Sequence, residues 1–215
     1  MGNMISRKYG VSRRYGVNLW GQAKDPVNSR KYPPGQHGTS GFKKLSDFGK
    51  QFAAHKKLKA YYNFRTSRQF KNIFVKAKKM VKKVGNIIDS FTGLLESRLM
   101  SVLYRSELAS TIFMARQFVS HSHVTVNGKM VNIASYTVKP GDLIKIKKKL
   151  IHSNGKKESE VQLGALASAP YLKVGVCVED KQEYYVIEYL RMPKLSEIPY
   201  PIDMEVNLIV EFFSR

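Results

Sequence analysis

His37 and Asp47 carry side chains of the types that serve as acid or base in enzymes, but each lacks a partner for catalysis. A nucleophile must be held within hydrogen-bond reach of an activating base, itself oriented by a third group. No such set stands at a diagnostic spacing in this chain. His121 and His123 are two imidazoles at i, i+2 with no third ligand nearby, which falls short of a zinc site. The turn Pro34-Gly35-Gln36-His37-Gly38 resembles a phosphate nest, yet the Lys-Ser/Thr pair of a nucleotide-binding loop does not follow it. Cys177 is the single cysteine, so no internal disulfide or Cys-cluster metal site can form. Val174, Val176 and Val178 around it suit an inert, half-buried thiol. No catalytic residue, cofactor or metal is expected.

The chemistry the residues do support is binding to a polyanion. Lys and Arg number 37 against 16 Asp and Glu, for a formal charge of +21. Residues 1–84 hold 21 of these cations against only Asp25 and Asp47, whereas residues 85–215 hold 16 against 14 acids. Self-repulsion so localised is tolerated where a polyanion cancels it. Nucleic acid leads, ahead of an anionic membrane surface. In residues 1–44, Arg7, Lys8, Arg13, Arg14, Arg30 and Lys31 are interleaved with Tyr9, Tyr15, Trp20 and Tyr32. Aromatic rings among guanidinium groups suit stacking on bases while cations meet phosphates. This stretch has no sustained helical or strand period and is expected to be an extended arm that orders on RNA. The opening Met1-Gly2-Asn3-Met4 lacks the apolar run of a secretory signal. No stretch approaches the ~20 apolar residues of a membrane span, so a soluble protein is expected.

Two helices are expected to follow the arm. Ser46 is a good N-cap for one through about Tyr62, with Phe48, Phe52, Leu58 and Tyr62 near one face. Ser67 caps a second, in which Phe70, Ile73, Phe74, Ala77, Met80 and Val81 follow the i, i+3, i+4, i+7 pattern. Arg68, Lys71, Lys76, Lys79 and Lys83 line the opposite face, almost without acids to pair them, which suits phosphate contact. From Asn86 the charge is balanced. Phe91 to Arg105 reads as one helix with Arg98 and Arg105 on its polar face. Ser110 or Thr111 caps another through about Ser120, with Arg116 pointing out. Alternation about Asn127-Gly128 is a hairpin signal with a type I′ turn. Pro140-Gly141-Asp142 makes another turn, and Leu143 to Lys147 reads as a strand with one basic face. Residues 172–178 and 184–189 read as two further strands. Lys147-Lys148-Lys149 and Lys156-Lys157 fall in what reads as a polar linker.

At this point the residues become recognisable. Leu95-Glu96-Ser97-Arg98-Leu99, Tyr104-Arg105, Ala109-Ser110-Thr111 and Ala115-Arg116-Gln117-Phe118-Val119 resemble the signature of the S4 RNA-binding module. His121 to Gly128, Val131 to Tyr136 and Pro140-Gly141-Asp142 continue the match. Pro34 to Gly38, Leu45-Ser46-Asp47-Phe48-Gly49, Arg68-Gln69-Phe70 and the run 208–215 carry the resemblance nearly end to end, to the S4 family of small-subunit ribosomal proteins. Asn18-Leu19-Trp20-Gly21 and Pro199-Tyr200-Pro201 are similar to its alphaproteobacterial or organellar branch. Some members hold zinc with N-terminal cysteines; this chain has none there and resembles the zinc-free type.

The resemblance implies an α+β fold: a mainly helical basic domain with an extended N-terminal arm, plus an inserted module of two helices packed on a small antiparallel sheet. Its implied parts are an arm over 1–44, a helical domain over 45–90 completed by 196–215, and the module with a sheet extension over 91–195 (core 93–157). The implied role is a structural constituent that binds small-subunit rRNA at a five-way junction of the 5′ domain and nucleates assembly. It extends to decoding accuracy and to the channel by which mRNA enters. Implied partners are rRNA, mRNA and ribosomal proteins S5 and S3, with no membrane and no small-molecule substrate. The setting is the cytoplasmic ribosome of a bacterium, or an organellar one. Candidate RNA contacts in the basic half are Arg7, Arg13, Arg14, Tyr32, Gln36, His37, Lys50, Arg65 and Arg68. In the module they are Arg98, Arg105, Thr111, Arg116, His121, His123, Lys129 and Lys145. Lys43 and Lys44 match in position the basic loop that faces mRNA. An RNA-modifying enzyme using the same module would need a catalytic domain with a positioned acid, for which residues 150–215 are too short.

Overall fold

The computed structural model describes residues 9–42, 44–152, 169–179 and 182–214. Arg7, Lys43, Lys156, Lys157 and the side chain of Lys83 lie outside the described residues. The chain divides into two units, residues 1–88 with 200–215, and residues 89–199.

The first unit corrects the expectation of a purely extended arm. Gly10–Tyr15 forms a helix, α1, that Gly16 ends in the left-handed conformation at φ 64°. A Cβ on Gly16 would lie 2.8 Å from Phe42 Cζ, so the loop is folded back on the helix end. Leu19 and Trp20 are buried. Trp20 Nε1 donates to the Tyr61 carbonyl at 3.4 Å. Tyr9 donates its hydroxyl to Gln22 Oε1 and meets Trp20 edge to face. These two rings pack the unit's own core instead of waiting for bases. Six residues are too few to display a period, and so short a helix needs tertiary support.

Helix α2 (Asp47–Tyr61) starts where expected, with Ser46 Oγ accepting from the Gly49 N–H at 3.2 Å. Its apolar face differs from the expected one. Phe48 and Phe52 are 54% and 39% exposed, whereas Ala54, His55, Leu58 and Tyr61 are buried. Both α1 and α8 (Val206–Ser214) pack on α2, and these neighbours decide which of its sides are covered. Gln51 Nε2 to Glu211 Oε2 (2.9 Å) and Lys57 Nζ to Glu205 Oε2 (3.0 Å) tie α8 and the residue just before it to α2. Helix α3 (Ser67–Val84) is capped by Thr66, not Ser67: Thr66 is extended, and its Oγ1 accepts from Gln69 N–H at 3.2 Å. Phe70, Phe74 and Ala77 are its buried stripe.

His55 sits among Phe52, Phe70, Phe212 and Phe213, stacked on Phe212 at 5.1 Å. Neither ring nitrogen has a hydrogen-bond partner among the described residues. Burial, then the nearby Lys56 and Lys59, pulls its pKa down to about 4. An unfolded His binds its proton near 6.5, so on acidification the unfolded state is protonated first. Stability should therefore fall as pH drops from about 6.5 towards 4, by up to roughly 3 kcal/mol. Urea unfolding at pH 7 and 5 would show this loss. His55→Phe, which keeps the ring, should shrink it; an unchanged pH dependence would contradict the assignment.

In the second unit, two helices replace the single one expected over 91–105. Helix α4 (Ile87–Glu96) stops and α5 (Leu99–Arg105) restarts after it. The break is made by distant backbone: Val138 N–H donates to Ser97 O, Leu99 N–H donates to Tyr136 O, and Arg98 bridges Thr137. Thr111 Oγ1 accepts from Met114 N–H at 3.1 Å to cap α6 (Ile112–Ser120).

The strands are β1 (Val124–Val126), β2 (Lys129–Met130), β3 (Leu143–Lys147), β4 (Leu172–Glu179) and β5 (Gln182–Tyr189). They form one antiparallel sheet in the order β2-β1-β3-β5-β4. Asn127 (φ 50°) and Gly128 (φ 77°) make the two-residue turn between β1 and β2. The Asn127 side chain donates to Asp142 Oδ1 and accepts from Leu143 N–H, locking this turn to the next. Lys148 and Lys149 do not lie in a linker: they begin α7 (Lys148–His152), and Lys148 pairs with Glu183 at 2.6 Å.

Candidate nucleic-acid interface

The exposed face of α3 presents Arg68, Lys71, Lys76 and Lys79, each exposed. Residues 66–84 contain no acid. An 18-residue helix at 1.5 Å per residue spans about 27 Å, so these cations form a stiff row able to follow a phosphate backbone.

The other basic-half candidates differ in exposure. Arg13 is half-buried with its guanidinium over the Tyr32 ring at 5.4 Å. Arg14, Tyr32, Gln36, His37, Lys44, Lys50 and Arg65 are exposed. A Cβ on Gly38 would run into the Pro33 carbonyl oxygen, so glycine is needed to close the turn that holds Gln36 and His37 outward. Lys50 Nζ bonds Asp47 Oδ1 at 2.9 Å, and that bond holds the Asp47 carboxyl below its usual pKa.

The module candidates separate into two groups. Arg116, His123 and Lys145 are partly exposed, and His121 and Lys129 are exposed. Thr111 is committed to capping α6. His121 and His123 have ring centres 5.9 Å apart. Among the described residues no group of three His, Cys, Asp or Glu side chains could hold a metal.

Arg98 and Arg105 do not belong on an RNA-facing side: they are only 6% and 5% exposed. Arg105 Nε and Nη2 donate to the Glu96 carboxylate at 2.8–3.1 Å, and Nη1 donates to the Pro199 carbonyl. Tyr171 donates its hydroxyl to Glu96 Oε2 at 3.0 Å. Beside them, Tyr189 and Ser97 hydroxyls lie 2.7 Å apart, and burial pushes Tyr189 up to about 12. The seven-residue spacing that suggested one shared outer face loses that meaning once the helix breaks at Ser97.

Sequence reasoning overlooked Lys56 and Lys59 on α2. Burial, then the neighbouring Lys56, lowers the Lys59 pKa. Their i, i+3 spacing in a helix without nearby acids was the available signal. Among the described residues no helix is long and apolar enough to cross a membrane.

Comparison with known proteins covers the whole chain. The family model described as "Ribosomal protein S4/S9 N-terminal domain" matches residues 3–96, and that described as "S4 domain" matches 97–144. The small ribosomal subunit protein uS4 of Wolbachia pipientis wMel is 56% identical over 215 residues, covering 100% of both chains. That of Ehrlichia chaffeensis (strain Arkansas) is 56% identical over 212 residues, 99% of this chain and 100% of the relative. That of Ehrlichia ruminantium (strain Gardel) is 54% identical with the same coverage.

Proposed function

The chain belongs to the S4 family of small-subunit ribosomal proteins, structural RNA-binding constituents and not enzymes, and we propose that it is a primary binder of small-subunit rRNA at the 5′-domain junction. In this reading it nucleates subunit assembly in a bacterial cytoplasmic ribosome. The observation that carries it is the α3 face, where Arg68, Lys71, Lys76 and Lys79 stand exposed on an acid-free helix. RNA junctions are recognised by shape and backbone through many such contacts. Helices α5 and α6 with their sheet serve as the inserted RNA-binding module, within 91–195, and 45–90 with 196–215 make the helical domain behind the 1–44 arm. Arg116, His121, His123, Lys129 and Lys145 supply the module's contacts. Arg13, Arg14, Tyr32, Gln36, His37, Lys50, Arg65 and Arg68 supply those of the basic half, while Lys44, with Lys43 beside it in sequence, faces mRNA.

The proposed contact with ribosomal protein S5, and through it an effect on decoding accuracy, is supported by a different surface. Phe48 and Phe52 stack at 6.2 Å and pack on Phe212, leaving an exposed aromatic patch of the kind that anchors protein interfaces. S3 is the second proposed neighbour.

Binding to a 5′-domain rRNA fragment across a salt series, against an unrelated RNA of equal length, tests the primary reading. Selective binding with a steep negative salt slope is expected, weakened by Arg116→Ala. Equal affinity for both RNAs would reduce the protein to a general RNA clamp.

A further inference from the structure

A cavity of about 250 Å³ opens beside α1, α2 and the loop after α2. Tyr15, Phe52 and Phe64 form aromatic walls, and Arg14, Lys56, Lys59 and Arg65 bring four cations to the same space. Among the described residues no carboxylate pairs with any of the four. Such a lining pairs flat aromatic walls with a positive charge that no carboxylate among the described residues offsets. Its volume lies below the ~300–1,000 Å³ of sites that take drug-sized ligands, which suits one planar ring system better than a whole dinucleotide.

The walls are not equivalent. Lys56 Nζ already lies over the Phe52 ring at 4.8 Å, and Phe64 is braced edge to face against Phe70 at 5.1 Å. Tyr15 is half-buried at the end of α1. Among the described residues Lys59 Nζ makes one hydrogen bond, a long one of 3.4 Å to Ser67 Oγ. Burial and Lys56 disfavour its charged form, and an anion arriving beside it would relieve that cost. Sequence-specific RNA recognition depends on unstacked bases held against aromatic rings while cations hold the backbone.

We propose that this cavity receives a single unpaired nucleotide of an RNA strand, its base between the aromatic walls and its phosphates met by Arg14, Lys59 and Arg65. The inference rests on the rRNA-binding reading above for the source of that strand.

The test titrates the intact protein with an RNA hairpin carrying one bulged adenosine and with the same hairpin fully paired, at fixed 0.1 M salt. The bulged form should bind roughly tenfold more tightly. Tyr15→Leu with Lys59→Met should bring the ratio to one, and Tyr15→Phe should keep the preference. Where the double variant fails to fold, Tyr15→Leu alone serves. Equal binding of both hairpins by the unaltered protein, or a preference that survives Tyr15→Leu, would overturn the proposal. Displacement of the bulged hairpin by micromolar AMP would overturn the assignment to a nucleotide within a strand. Selectivity for the 5′-domain fragment is measured on the same protein. If it persists while the hairpins bind equally, only this inference fails; if it vanishes while the bulge preference remains, the functional reading fails instead.

Discussion

Replacing Arg105 by alanine should lower the unfolding free energy by about 3–5 kcal/mol, a large share of the roughly 5–15 kcal/mol that holds a domain together. The guanidinium is 5% exposed and answers both oxygens of Glu96, itself fully buried. Without it the Glu96 carboxylate keeps the Tyr171 hydroxyl but loses its counter-charge, and the Pro199 carbonyl loses the Nη1 donor. A buried ion stripped of its partner is the costly case. Replacing both members by apolar residues is often close to neutral, so Glu96→Leu with Arg105→Met should recover much of the loss. Urea titrations read both variants through the midpoint at constant slope. A loss under 1 kcal/mol for Arg105→Ala would remove the pair from any role in holding the second unit. The folded fraction of Arg105→Ala should bind RNA as the parent does, because the side chain faces inward.

The second large effect belongs to binding. Changing Arg68, Lys71, Lys76 and Lys79 together to alanine should flatten the salt dependence of RNA affinity by about 3–4 in log–log slope, near one for each phosphate no longer neutralised. Extrapolated to no difference at 1 M, that is roughly a thousandfold weaker binding at 0.1 M salt. The loss should be uniform across RNA sequences, because phosphates carry none of the sequence. Stability should hold or rise: all four side chains are exposed, alanine favours helix, and like-charge repulsion along the face disappears. A slope unchanged by all four substitutions would move the interface off α3.

The parts of the fold legible in the sequence are those governed by neighbours. The stripe Phe70, Phe74 and Ala77 announced α3, and Asn127-Gly128 announced the hairpin with both turn residues at positive φ. The parts that escaped are set by residues far along the chain. Nothing near Ser97 signals a helix break, since it is imposed by Tyr136 and Val138. With that break hidden, Arg105 looked like an outward cation rather than the partner of Glu96. Phe48 and Phe52 have the spacing of a core stripe, but the burial of α2 is decided by α1 and α8, and the covered sides carry Ala54, His55, Leu58 and Tyr61. The candidate interface was therefore readable as a region, from the acid-poor run of Lys and Arg, and less so residue by residue.

The pairing of α2 with α8 also fixes an order of events during synthesis. Gln51 and Glu211, bonded in the finished protein, are 160 residues apart. At about 5–20 residues per second, α2 waits on the order of ten seconds or more for its partner to be made. In that interval residues 89–199, which close on themselves, are free to fold as they emerge. The most basic part of the chain is thus made first and completed last. Until α8 arrives, His55, Phe70 and Phe74 lack the Phe212 and Phe213 rings that cover them, and the nascent chain holds a cationic, greasy half-domain that a chaperone or a strand of RNA can claim.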